Sequence, residues 1–277
     1  MIHFEVDMTV DYAAMGCAEP AKSPKLTTYI LDEDYLENSV WKTRPAVIVC
    51  PGGGYSIVSP REAEPIALKY NAAGFHAFIL DYSVEPTGWP AACCELSKAV
   101  AYVRSIADQH HIDKEKIVVC GFSAGGNLAA SIGVHYDKEI VKKFSGVTGE
   151  ENKPDGMILC YPVITDEDEK THMGTKTNFI AGRKDAEQYF GMEHHVNANT
   201  PKTFLWHTFT DTTVPVESSM RFATALLENG VPFEMHIFPE GPHGLSLGNK
   251  LTAAAERHLV SVVEPWMDLS ITWLNNL

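Results

Sequence analysis

Long apolar runs are missing from this chain. Runs such as Ala46 to Cys50 and Ala77 to Leu80 are strand-sized, far below the roughly 20 residues that a membrane-spanning helix needs. Basic residues are scarce as well: 22 Lys and Arg stand against 36 Asp and Glu, a net charge of −14. That balance disfavours nucleic acid or an anionic membrane surface as a partner. It also weighs against an anionic substrate unless a local basic pocket overrides it. The opening residues, Met1 to Asp7, lack the basic and apolar regions of a signal peptide, so a cytoplasmic location is expected.

Cysteines are few and badly spaced for metal. None of Cys17, Cys50, Cys93, Cys94, Cys120 and Cys160 forms a C-x-x-C pair, so no metal site is expected. Cys50, Cys120 and Cys160 each end an apolar run and read as reduced, buried thiols. Phosphate-cradling glycine motifs are absent too: neither G-x-G-x-x-G nor G-x-x-x-x-G-K-[ST] occurs. No cofactor is implied.

What is present is an alternation of short apolar runs and helical segments. Strands are expected at His3–Met8, Thr27–Leu31, Ala46–Cys50, Ala77–Leu80, Ile117–Cys120, Gly156–Cys160, Thr203–His207 and Phe233–Phe238. The inner runs are almost continuously apolar, as parallel strands covered on both faces are. Helices are expected at Glu62–Ala73, Ala91–His110, Ala124–Tyr136, Val216–Asn229 and Thr252–Leu274. Leu96, Ala99, Val100 and Val103 carry the 3.6-residue period, and Gly230 is placed to stop the helix before the last strand. The reading is one α/β domain over residues 1–277, with a mostly parallel sheet of about eight strands and helices on both faces. Only the polar stretch 163–199 breaks the rhythm; it reads as a short, partly helical cap inserted in that domain.

Residues 118–130 hold the most informative pattern. An apolar strand runs into Gly121-Phe122-Ser123-Ala124-Gly125 and then into a small-residue helix. This is G-x-S-x-G between strand and helix, the context of a nucleophile elbow. The bare motif recurs by chance in roughly one chain in ten of this length, so partners must decide. A serine needs a base, and the base an orienting acid. Two loops that follow strands supply them: Thr208 to Pro215 carries Asp211, and Pro239 to Gly244 carries His243. The chain order Ser123, Asp211, His243 is the order of an α/β-hydrolase triad. Asp166, Asp168 and Glu217 compete for the acid role, but the 166–169 run reads as a solvated face and Glu217 as a first-turn carboxylate. His207 and His236 fall within strands and read as structural; His194 and His195 either line a pocket or decorate the cap. After the strand Ala46–Cys50, Pro51 leads into Gly52-Gly53-Gly54-Tyr55. The N–H groups of Gly53 and Gly54, with that of Ala124, would form an oxyanion hole.

With these motifs in place the chain resembles the α/β-hydrolases, and among them the small bacterial esterases and lipases with an H-G-G-G-type loop. The acetyl-xylan-esterase-like and kynurenine-formamidase-like branch is the nearest in pattern: P-G-G-G-Y at Pro51–Tyr55, G-F-S-A-G-G at Gly121–Gly126, and D-x-x-V-P, Asp211 to Pro215, within Thr208–Pro215. The likeness runs from Phe4 through Trp273 and includes Leu80-Asp81-Tyr82, Trp89-Pro90 and Phe204 to Thr208. One departure stands out: Pro51 occupies the position of the His that braces the loop in many lipases.

The resemblance implies a serine carboxylesterase with Ser123, Asp211 and His243 as triad, acting without metal or organic cofactor on a small-molecule ester. A short acyl group, acetyl on a sugar or small alcohol, is expected. Tyr55, Trp89 and Trp206, large groups near strand ends, either contact that substrate or belong to the core. Formamidase or peptidase action on the same fold remains open, as does a non-catalytic ligand-binding role. A homodimer is also left open.

Overall fold

The computed structural model describes residues 1–32 and 41–277. Eight strands form one sheet: β1 Glu5–Asp7, β2 Lys25–Tyr29, β3 Arg44–Cys50, β4 His76–Asp81, β5 Ile112–Phe122, β6 Gly156–Cys160, β7 Lys202–Thr208 and β8 Phe233–Phe238. Their order is β1-β2-β4-β3-β5-β6-β7-β8. β1 and β2 run antiparallel to their neighbours, and β4 through β8 are parallel. The helices are α1 Tyr12–Met15, α2 Glu64–Ala72, α3 Ala91–Ser105, α4 Ala124–His135, α5 Glu139–Ser145, α6 Met173–Ile180, α7 Glu217–Glu228 and α8 Trp266–Asn275. Among the described residues no helix is long and apolar enough to cross a membrane.

The two-residue period of a strand sorts its side chains between two cores. Along β3, Ala46, Ile48 and Cys50 face a cluster with Leu96 and Val100 of α3, Leu128 of α4 and Phe222 of α7. Val47 and Val49 face the other cluster, with Ile66 and Tyr70 of α2 and Trp266 of α8. Both faces of the central strands are therefore buried, which explains their unbroken apolar spelling.

The long C-terminal helix expected over 252–274 is a shorter one. α8 begins at Trp266, immediately after Pro265, and Glu256–His258 form only a single 3₁₀ turn. Pro265 has no N–H for a helical bond and clashes with the turn before it, so it can open a helix but not lie within one. α1 and α5 have no counterpart in the sequence reading. Segment 163–199 contains α6 and two 3₁₀ turns, Lys184–Tyr189 and Met192–His195.

Candidate active site

The turn between β5 and α4 is built of small residues because it has no space for larger ones. A Cβ on Gly121 would fall 2.1 Å from the Gly125 carbonyl oxygen, and one on Gly125 would fall 2.0 Å from that of Cys50. Ser123 at the apex has φ 53° and ψ −115°, a conformation that L-residues avoid unless their surroundings impose it. Here the surroundings do. The Ser123 N–H donates to the Cys160 carbonyl at 3.0 Å, and the Ser123 carbonyl accepts from Asn127 at 3.0 Å and Val163 at 3.1 Å.

The loops after β7 and β8 bring the other two groups to it. His243 Nε2 lies 2.7 Å from Ser123 Oγ, and His243 Nδ1 lies 2.6 Å from Asp211 Oδ2. The loops are tied together where Thr208 Oγ1 donates to the Gly241 carbonyl at 2.8 Å and the Gly241 N–H donates to Thr210 Oγ1 at 2.9 Å. With Nδ1–H donated to the carboxylate, Nε2 is left to accept the serine proton. That is the tautomer a general base requires.

The Asp211 side chain is fully buried. Its Oδ1 accepts the N–H groups of Thr213 and Val214 at 2.9 and 3.0 Å, and the His207 ring stands 3.5 Å from Oδ2. Burial alone would raise its pKa. The contacts with His207 and His243, the charge His243 can carry and the Val214 N–H outweigh that, holding the group well below the usual carboxylate range. His207, buried in β7, also bonds Ser219 Oγ and the Val214 carbonyl, so it buttresses the acid.

Because β3 and β5 are paired, with Cys50 opposite Gly121, the glycine loop after β3 lies beside the elbow. A Cβ on Gly52 would sit 3.1 Å from Ser123 Cβ. Among the described residues the N–H groups of Gly53, Gly54 and Ala124 donate to no other protein group. They are the free donors that an oxyanion can use. The Gly52 N–H is occupied: it donates to Glu62 Oε2 at 2.9 Å.

The sequence reading missed a third imidazole at the site. His172 caps α6, its Nδ1 accepting from the Thr175 N–H at 3.2 Å. Its Cε1 lies 3.8 Å from where a Cβ of Gly54 would stand. Burial lowers its pKa and so does the nearby His243, with Asp211 acting in the opposite sense. A neutral ring whose Nδ1 accepts must carry its proton on Nε2, and that N–H has no hydrogen-bond partner among the described residues. Beside it, Asn178 Nδ2 donates to the Gly54 carbonyl at 3.0 Å. Nothing in the polar spelling of 163–199 marks these residues as neighbours of the glycine loop.

Of the two roles left open for Tyr55, Trp89 and Trp206, the structure favours the core, since all three side chains are buried. Trp206 is 0% exposed, stacked on Trp266 and set edge-on to Tyr161. Trp89 stacks between Phe179 and Tyr189. Tyr55 donates its hydroxyl to Asn127 Oδ1 at 3.0 Å. Tyr55 and Trp89 do line a small pocket, but its volume is about 10 Å³, the size of one water molecule and too small for an acyl group. Large apolar surfaces at strand ends are drawn into the adjoining layer rather than left facing a cleft.

The rival acids are occupied elsewhere. Asp168 pairs with Lys176 at 2.8 Å and Glu217 with Lys170 at 2.7 Å, while Asp166 Oδ1 lies 3.2 Å from His194 Nε2. Asp166, Glu193 and His194 also form the one group among the described residues whose donor atoms are close enough to hold a metal ion. It contains none of Ser123, Asp211 and His243. His195 packs on His135 and Tyr189.

Known proteins give this geometry its context. The family model described as BD-FAE matches residues 33–226. Endo-1,4-beta-xylanase B of Butyrivibrio fibrisolvens is 37% identical over 223 residues, 78% of this chain and 34% of its own length. The acetylxylan esterase of Xylanibacter ruminicola is 27% identical over 73% of this chain and 41% of its own. The chain thus spans less than half the length of these curated relatives. The crystal structure of an acetyl ester-xyloside bifunctional hydrolase from Caldicellulosiruptor lactoaceticus superposes with a TM-score of 0.80 at 34% identity, covering 99% of this chain and 96% of that one.

Proposed function

The chain belongs to the BD-FAE family of α/β-hydrolases, and on that footing we propose that it is a serine carboxylesterase removing short acyl groups, acetyl foremost, from a sugar or small alcohol. The observation that carries this reading is the continuous relay from Ser123 Oγ through both nitrogens of His243 to Asp211, with spacings of 2.7 and 2.6 Å.

The reaction proceeds in two acyl transfers. Ser123 Oγ attacks the ester carbonyl as its proton passes to His243 Nε2. The N–H groups of Gly53, Gly54 and Ala124 receive the negative charge on the carbonyl oxygen. The imidazolium, stabilised by Asp211, returns the proton to the departing alkoxide, and the alcohol leaves. Water then gives a proton to His243 and attacks the acyl-enzyme, and collapse of that second intermediate frees the acid and restores the Ser123 hydroxyl. Every proton moves among Ser123, His243, substrate and water.

The acetyl preference draws its support from the relatives, which include an acetylxylan esterase and an acetyl ester hydrolase. Segment 163–199 acts as a cap, placing the His172 N–H beside the glycine loop, where an ester of a polyhydroxylated alcohol finds a donor. Six free cysteines, five of them buried, suit a reducing compartment and a cytoplasmic enzyme.

The test is hydrolysis of p-nitrophenyl esters from acetate to decanoate, followed by acetate release from acetylated xylo-oligosaccharides, with Ser123→Ala alongside. Serine-dependent turnover that falls with acyl length is expected. Turnover only with formamides or peptide amides would move the assignment to the amidase reading.

A further inference from the structure

Pro51 stands where a histidine braces the glycine loop of many lipases, yet the loop here is braced. Pro60–Glu62 form a single 3₁₀ turn, and Glu62, 4% exposed, points its carboxyl inward. Oε2 accepts the Gly52 N–H at 2.9 Å, and Oε1 accepts the Tyr161 hydroxyl at 2.5 Å. A Cβ on Gly52 would lie 2.7 Å from Oε2, so the loop approaches this closely only because the residue is glycine.

Tyr161 extends the contact to the base. It is buried, and its ring makes a T-shaped contact with that of His243, with 5.1 Å between ring centroids. Its hydroxyl accepts the Ser246 N–H at 2.9 Å. Burial and the neighbouring Glu62 carboxyl raise its pKa well above the ordinary value, so its proton stays in place and is donated to Glu62. The adjacent Arg61 binds the same loop, Nη2 donating to the Gly244 carbonyl at 2.9 Å while the Arg61 carbonyl accepts from Ser246 Oγ at 2.8 Å.

We infer that Glu62 is a positioning residue that sets the oxyanion-hole loop and the His243 loop relative to each other, through Gly52 on one side and Tyr161 on the other. The inference rests on the esterase reading of the site. The two halves of the reaction, proton transfer by His243 and charge stabilisation at Gly53 and Gly54, come from loops 190 residues apart in sequence. One short turn touches both. Displacing either half lowers the rate of the chemical step with little effect on substrate binding, because reacting groups lose much of their efficiency on shifts of about 1 Å.

The experiment compares Glu62→Ala, Glu62→Gln and Tyr161→Phe with wild type and Ser123→Ala on p-nitrophenyl acetate. Rates are expressed per active site titrated with a fluorophosphonate, and melting temperatures are recorded. Glu62→Ala is expected to lose about 10- to 100-fold in kcat with KM within twofold. Glu62→Gln, which keeps one acceptor for the Gly52 N–H, should recover part of that. Tyr161→Phe, which keeps the ring, should lose about tenfold and hold the claim to account if Glu62→Ala does not fold. A melting point that falls while kcat per titrated site stays within twofold in Glu62→Gln and Tyr161→Phe would overturn the inference and leave Glu62 as a packing residue. Loss of activity in Ser123→Ala together with that result would sink the positioning role alone. Activity surviving in Ser123→Ala would sink the esterase reading beneath it.

Discussion

Asp211 and His243 meet through one oxygen and one nitrogen, 2.6 Å apart, while the other Asp211 oxygen is consumed by two backbone N–H groups. The carboxylate is thereby fixed in rotation and has one lone-pair direction to offer the imidazole. Its negative charge is retained because its contacts with His207 and His243 outweigh its burial. Replacing it by Asn keeps the shape but, with the amide oxygen held by the Thr213 and Val214 N–H groups, turns an amide N–H toward Nδ1, favouring the tautomer with its proton on Nε2, where Ser123 must deliver one. Asp211→Asn should lower kcat by about four orders of magnitude with KM nearly unchanged. Steady-state kinetics on p-nitrophenyl acetate reads this, and a loss below tenfold would contradict the role.

His172 should matter to the alcohol rather than to the acyl group. Its free Nε2–H offers one neutral hydrogen bond, worth about 1 kcal/mol or roughly fivefold in binding. His172→Ala is expected to raise KM several-fold for acetylated xylo-oligosaccharides and to leave p-nitrophenyl acetate almost untouched. His172→Asn keeps the helix cap and separates loss of the donor from loosening of α6. Equal losses on both substrates would refute the assignment.

Glu95 gives the fold a pH dependence separate from catalysis. It is fully buried in α3 and accepts from the Ser83 N–H at 2.8 Å, the Tyr12 hydroxyl at 2.9 Å and the Ser83 hydroxyl. Burial outweighs those bonds and pushes its pKa from 4.5 up to about 7. Between those values the unfolded chain releases this proton and the folded chain keeps it, so stability falls as pH rises and levels off above about 7. The shift corresponds to about 3 kcal/mol. Glu95→Gln cannot titrate, so its stability relative to wild type should improve by about that amount between pH 4.5 and 8. Urea unfolding at four pH values measures it; a constant difference would show that Glu95 titrates normally.

The approach of Ser123, His243 and Asp211 was legible because each sits where sterics or topology leaves few alternatives. The Gly121–Gly125 crowding that demands glycine is written in the letters, and Asp211 and His243 follow strands in the required order. The sheet was legible for a similar reason, since strands buried on both faces spell continuous apolar runs. Strand ends were less so: the apolar spelling of Trp206 says that it is buried without saying in which layer, and a strand end near a cleft resembles one beneath a helix. The brace was invisible. Ser-Pro-Arg-Glu carries no sign that Glu62 folds inward, and its partner Tyr161 lies 99 residues away. The C-terminal helix was over-read because the Ala-rich run from 252 looks helical until Pro265 is weighed as a start rather than an interruption.

The most direct test is to treat the protein with a fluorophosphonate and map the adduct by peptide mass spectrometry, with Ser123→Ala and His243→Ala as companions. One adduct per chain on Ser123 is predicted, absent in Ser123→Ala and at least about a hundredfold slower to form in His243→Ala. Labelling that persists in Ser123→Ala, or fails altogether in folded wild-type protein, would contradict an activated serine at this site.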